Sequence, residues 1–378
     1  MSVVDRRVWS SLTLAALLFL PISKSLPLTR RSVFASFFET CGGDLWKQNA
    51  GWLDDGIPFC SWFGIRCNTA GRVVALNLRN NGLSCEIPRN LFSMPKLTTL
   101  DFSGNEDVSL NFKSINPFLA SNLKRIFFAG TNTTSLDGIE SFHNLEALGA
   151  SAISLTGAFP DQVKKLTNLI TLDLSRNSLT GTIPGDIEVL SKLQLLLLNG
   201  NRFSGTLTSN IGKLVDLSQL SLEFNNLQGT LPVELLQLVN ISVLSLNDQD
   251  VSKGTGFTGP MLDFADSPSI LSVDVSNNAL TGTVPESLLK SAKLNFSNLV
   301  SVQMSGNRLT GVIPAALSRF EAIRLFLSDN RINGIDPTLC SKSAWFLGDV
   351  GEFGCNGILC PPRTYNIFGR QISTSFPC

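Results

Sequence analysis

Three sets of residues in this 378-residue chain have types and spacings that could do chemistry. Gly254-Thr255-Gly256-Phe257-Thr258-Gly259 spells G-x-G-x-x-G, which cradles a pyrophosphate when it follows a strand and opens a helix. Cysteines at 41, 60, 67, 85, 340, 355, 360 and 378 could ligate a metal, with Cys355 and Cys360 at a suitable spacing, or pair as disulfides. Asp101, Asp173 and Asp274 recur at equivalent places of a repeated pattern, and paired carboxylates can hydrolyse glycosides. Each enzymatic reading is then weakened by its surroundings. After Gly259 come Pro260 and "MLDFADSPS", with no amphipathic helix to aim its N-terminus at a phosphate, so the motif reads as a turn in a widened coil. The three aspartates are several strands apart at about 4.8 Å per strand, so they read as solvated polar positions. His143, the single histidine, lies in "SFHNLEAL" on the helical side of a repeat, and Tyr365 is the single tyrosine. No G-x-S-x-G, H-E-x-x-H or P-loop occurs. The expectation is a non-enzymatic chain with no cofactor and no metal.

Composition narrows the class further. Lys plus Arg and Asp plus Glu are balanced at 30 each, so no basic surplus points to nucleic acid. Residues 1–25 read as an export signal: Arg6 and Arg7, then the uncharged "VWSSLTLAALLFLPIS", then small residues at Ser23 and Ser25 for cleavage. That uncharged stretch is shorter than the roughly 20 residues of a spanning helix. Cleavage would leave 27 basic residues against 29 acidic ones. Export to an oxidising compartment makes disulfides the first reading of an even cysteine count. The expected location is secreted, extracellular or cell wall, membrane-anchored only if the signal stays.

The elements that must position any site are periodic. "LITLDLSRNSLTGTIP" (169–184) returns as "LQLLLLNGNRFSGTL" (193–207), "LSQLSLEFNNLQGTLP" (217–232), "ILSVDVSNNALTGTVP" (270–285) and "LVSVQMSGNRLTGVIP" (299–314). Alignment on the asparagine gives eleven units, at Asn81, Asn105, Thr131, Ile153, Asn177, Asn201, Asn225, Gln249, Asn278, Asn307 and Asn330. Most spacings are 22 to 24, and the two of 29 mark insertions after Gln249 and Asn278. The L-x-x-L-x-L-x-x-N pattern at this period predicts an α/β leucine-rich repeat solenoid. In Leu172-x-Leu174 alternation sends both leucines inward and Asp173 outward. Asparagine carries both a donor and an acceptor, so in each turn it can bond the backbone of its own and the adjacent coil. Thr131 and Ile153 should interrupt that ladder. "LTGTIP" should bend the chain, and a helical turn should close each coil.

The L-x-G-x-I-P unit resembles the plant-type subclass of extracellular leucine-rich repeats. "CSWFGIRC" (60–67) resembles its N-terminal cap motif, and "GEFGCNGILCPPRTYNIFGRQ" resembles the tails of secreted algal members. The resemblance implies a right-handed solenoid of about eleven coils with a concave parallel sheet and disulfide-stapled caps. It divides the chain into signal (1–25), N-terminal cap (26–70), solenoid (71–338) and cysteine-rich C-terminal cap (339–378). Trp46, Trp52, Trp62 and Phe63 are placed to plug the first coil. Cys60 would pair with Cys67, Cys41 with Cys85, Cys340 with Cys355 and Cys360 with Cys378, although four cysteines at either end allow three pairings.

Outward strand residues of a solenoid line its usual binding surface. The richest stretch comprises Asp173 and Arg176, with Thr171; Leu195, Leu197 and Asn199; Gln219, Glu223 and Phe224, with Ser221; and Asn247, with Ser245 and Asp248. Exposed apolar residues ringed by charge have the composition of an interface hot spot. Phe127 and Phe326 are further outward aromatics. Asn132, Asn240 and Asn295 are glycosylation sequons, the last two on the loop side of strands. The resemblance implies recognition of a protein, peptide or glycan in signalling or defence, with a membrane receptor or secreted hydrolase as partner. Inhibition of a wall hydrolase such as polygalacturonase and a structural wall or matrix role are the alternatives.

Overall fold

The computed structural model describes residues 30–118, 121–250, 254, 256–292, 299–361, 364 and 368–378. The expected signal, Thr255, the sequon at Asn295 and Tyr365 lie outside the described residues. One sheet of twelve strands runs the length of the molecule. Its strands are β1 (Ile65–Cys67), β2 (Val73–Asn77), β3 (Thr99–Asp101), β4 (Arg125–Phe127), β5 (Ala147–Gly149) and β6 (Thr171–Asp173). They continue as β7 (Leu195–Leu197), β8 (Gln219–Ser221), β9 (Val243–Ser245), β10 (Ser272–Asp274), β11 (Val300–Gln303) and β12 (Ile323–Phe326). β1 is antiparallel to β2, and every later neighbour is parallel. The pattern explains each strand: Leu172, Leu196, Leu220 and Leu244 stack inward in register, buried in one continuous apolar core. No coil could bury such a row alone.

The leading residues of the "LTGTIP" segments form short strands, and their glycines, such as Gly181 at φ +75°, bend the chain. A second sheet of six parallel strands, from Thr156–Gly157 to Ala279–Thr281, covers another side of the coils. Thr180 Oγ1 donates to the Gly157 carbonyl of the preceding coil at 3.1 Å. Gly205, at φ +77°, leaves the space where the Thr182 methyl packs; a Cβ there would approach that methyl to 2.9 Å. Gly256–Pro260 belongs to this sheet, paired with Asn226–Thr230 and Ala279–Thr281. Gly256–Gly259 of the glycine motif thus lie in a wall strand, while Gly254 sits in a turn just before it, as expected of a widened coil. Short 3-10 helices such as Ser209–Lys213 and Val233–Gln237 close the circuit.

The amide ladder is built as its chemistry requires. Asn225 Nδ2 donates to the carbonyls of Leu198 and Leu222, at 3.1 and 3.0 Å, while its Oδ1 accepts from Phe203 N at 3.0 Å. Gln249 reproduces the arrangement, donating to Leu222 and Leu246 and accepting from Leu227 N. At Thr131 the hydroxyl reaches only the Phe128 carbonyl and Thr133. Ile153 has no such group, and the ladder resumes when Asn177 Oδ1 accepts from the backbone N–H groups of Ile153 and Leu155. Phe112, Phe128 and Phe142 fill the interior across this gap.

Both ends are covered. Helix α1 (Arg30–Thr40) contributes Phe34, Phe37 and Phe38, which pack with Trp46, Trp52 and Trp62 over the first coil. Phe63 is 37% exposed and takes little part in the plug. The sulfurs pair Cys41 with Cys85, Cys60 with Cys67, Cys340 with Cys355 and Cys360 with Cys378. At the far end Trp345 is buried and donates its indole N–H to the Phe320 carbonyl at 3.0 Å. Phe346 packs edge-on against Phe326, and the Arg370 guanidinium lies 4.2 Å above the Phe346 ring. Phe326 is thus half covered by the C-terminal cap, not free on the outer face as its strand position suggests.

Candidate binding face

An open hollow of about 480 Å³ lies along the outer face of the long sheet, just past the strand ends. Asp173, Arg176, Leu197, Asn199, Gln219 and Glu223 line it, so the structure brings six of the nine sequence-predicted residues together. Leu195, one step from Leu197 on the same face, is half-buried and outside the hollow. Both leucines are half-buried, where the sequence suggested exposure. Phe224 is 58% exposed, but its backbone, at φ +56°, turns off the strand and leaves it outside the lining. Asn247 is engaged instead with Asp248, donating from Nδ2 to Oδ2 at 2.6 Å.

The other end of the hollow is formed by residues that the sequence reading passed over: Arg79, Asn80, Ser103, Gly104, Ala129, Gly130, Ser151 and Ala152. They occupy the same column as Ser175-Arg176 in earlier coils, so aligning every unit in register would have found them. Their small side chains make the floor shallow. Beside them Phe127 lies against Gly149 of the next strand, where a Cβ would come within 2.6 Å of its ring.

The aspartate column is not simply solvated. Asp101, Asp173 and Asp274 each accept from the backbone N–H two residues on, at 3.0, 2.9 and 2.9 Å, fixing the strand exits. Asp274 also accepts from the Ser276 hydroxyl at 2.6 Å. Its burial pushes its proton affinity above the usual carboxylate range against those bonds, helped by the negative charge of Asp248. Glu223 is raised in the same way, first by burial and then by the charges of Asp274 and Asp248. Its Oε2 is shielded from solvent and has no hydrogen-bond partner. Asp248 is held by Asn247 and by Asn277 Nδ2, at 2.6 Å each. Three carboxylates thus converge across coils seven to nine, while Arg79 and Arg176 mark the other part of the face. His143 is exposed, and its carbonyl accepts from Asn168 Nδ2 at 2.9 Å, a place in the coil wall.

The leucine rich repeat family profiles match residues 143–203 and 298–320. The chain carries leucine-rich repeats in these two stretches, and it is similar over part of its length to plant receptor kinases. It is 30% identical over 118 residues to receptor-like protein kinase 7 of Arabidopsis thaliana, covering 31% of this chain and 9% of the kinase. It is 31% identical over 114 residues to MDIS1-interacting receptor like kinase 1 of the same plant, covering 30% of this chain and 11% of that relative. The leucine-rich repeat chain thus matches about a tenth of the length of these kinases. Its fold is similar to the Arabidopsis receptor kinase HAESA, solved in complex with the peptide hormone IDA and the co-receptor SERK1. That likeness has a TM-score of 0.67 at 24% identity, over 82% of this chain and 55% of that one. A plant ice-binding protein is similar with a TM-score of 0.56 at 19% identity, over 80% of this chain and 87% of that one. PEPR1 bound to AtPEP1 gives 0.57 at 23%, over 83% and 50%.

Proposed function

We propose that this leucine-rich repeat protein is a non-enzymatic extracellular recognition protein that holds an extended peptide across its outer sheet face. The observation that carries the reading is the hollow crossing the strand ends, shallow over small residues and polar along its length. An extended chain suits a groove that runs across the strands, with its backbone close to the Ser, Ala and Gly floor. Leu197 offers an apolar contact beside Gln219 and Asn199. The charges give the ligand a direction: an acidic group meets Arg79 and Arg176, and a cationic group meets Glu223, with Asp248 and Asp274 on the two coils beyond the hollow. HAESA and PEPR1, which share the fold, were solved with peptide partners, and this supports peptide over other ligands.

The test is selection of peptides from a random display library on the folded chain, followed by titration against Leu197→Asp and Glu223→Gln. Selected peptides should carry a Lys or Arg, and each variant should weaken them about tenfold, the worth of one good contact. Affinity should also fall on acidification. The raised proton affinities of Glu223 and Asp274 mean that both lose charge above the ordinary carboxylate range. Peptides that bind both variants like the parent, with no dependence on pH, would remove the outer face from consideration.

A further inference from the structure

A second hollow, of about 580 Å³, lies on a different side, where the chain enters the strands. It crosses five successive coils, from the residues before β3 to those before β7. Its charged lining is Lys96, Lys124, Lys192 and Glu146, three cations against one anion. Glu146 holds Lys124 at 2.6 Å and also approaches Arg125 of the same coil at 3.7 Å. Lys192 Nζ donates to Asn168 Oδ1 at 2.7 Å. Asn144 and Asn168 donate to carbonyls of the preceding coils, at 2.6 and 2.9 Å, so the wall itself is fixed. Almost all the remaining lining is amide or hydroxyl, with a single isoleucine.

The distribution of charge selects the ligand. The cations are spread over coils about 4.8 Å apart, a run of about 19 Å, so one small anion could not meet all three. No aromatic ring lines the hollow among the described residues, which leaves a nucleobase nothing to stack on. A peptide would find one apolar contact. Amides and hydroxyls suit sugar hydroxyls, which both donate and accept. Lysine, a flexible point charge, suits an anion repeated along a chain better than one fixed bidentate group. We infer that this lateral groove is a binding site for a linear acidic saccharide, carboxylated or sulfated. The site is separate from the peptide face and does not depend on it.

The experiment titrates the full chain with a uronic-acid oligomer, a sulfated oligosaccharide and a neutral oligosaccharide of equal length. At least one acidic ligand should bind, and should weaken as salt rises because these cations are exposed. The acidic ligand that binds identifies carboxylate or sulfate, and binding of both assigns the site to charge alone. Lys96→Ser/Lys192→Ser should cost about tenfold, as two exposed charge contacts would. Glu146→Gln should strengthen binding a few-fold, since it frees Lys124. Leu197→Asp on the peptide face should change nothing. Equal binding of the neutral sugar, or no binding of either acid, would overturn the site. So would full affinity in the double lysine variant, weakening in Glu146→Gln, or loss in Leu197→Asp, provided each variant keeps the parent's thermal melt.

Discussion

Asn225 ties two coils together with one side chain. Its amide satisfies two carbonyls and one N–H that the turn leaves without backbone partners. The residue is 2% exposed, so water cannot take over those bonds when the side chain is removed. Asn225→Ala should therefore lower unfolding free energy by about 3 kcal/mol, whereas Thr131→Ala, which loses a single hydroxyl with its bonds to the Phe128 carbonyl and Thr133, should cost about 1 kcal/mol. Urea titration of the two variants checks the ratio, and equal costs would show that the ladder contributes little. The roles of these residues were legible in the sequence because slot and residue type suffice. The role of Gln249 was legible only as a slot: its longer arm reaches the same three backbone groups because the coil around it has the room. The convergence of Glu223, Asp248 and Asp274 was not legible, since it depends on where neighbouring coils leave each side chain.

At the scale of elements, the caps differ from the repeats in how they are held. Cys41–Cys85 closes a loop with a separation of 44 residues, joining the end of α1 to the short strand Ser84–Glu86, whereas Cys60–Cys67 spans 7. Loop-closure entropy assigns about 4 kcal/mol to the first and about 2.5 kcal/mol to the second. Cys41→Ser/Cys85→Ser should thus shift a denaturation midpoint further than Cys60→Ser/Cys67→Ser, both measured without reductant. The reverse order would mean that the aromatic plug alone orders α1. The helix was missed in the sequence because "RRSVFASFFET" has no repeat signature; its phenylalanines gain their meaning from three tryptophans that follow. The second sheet was not foreseen beside these bends for a related reason. Threonine and glycine beside proline are turn formers locally, and their strand pairing comes entirely from the coils on either side.

Across the whole molecule, stability in a solenoid is close to a sum of coil and neighbour terms. The amide ladder runs unbroken from Asn177 through Asn225 and Gln249, but is interrupted at Thr131 and Ile153. Phe112, Phe128 and Phe142 keep the interrupted coils packed without supplying those bonds. Backbone amide exchange should therefore be slowest in β7, β8 and β9 and faster in β4 and β5. Uniform protection along the sheet would make aromatic packing equivalent to the ladder.

The sequence by itself determined the repeat, the inward leucines, the outward face and the amide slots. All of these follow from local periodicity, in which one residue's neighbour two positions away fixes which side it takes. Only the tertiary structure decided which outward residues share a hollow. It covered Phe326 with Phe346, left Phe224 off the strand, and gathered Lys96, Lys124 and Lys192 along one edge. Those placements are set by contacts between coils and caps far apart in the chain, and a pattern read within one unit carries no information about them.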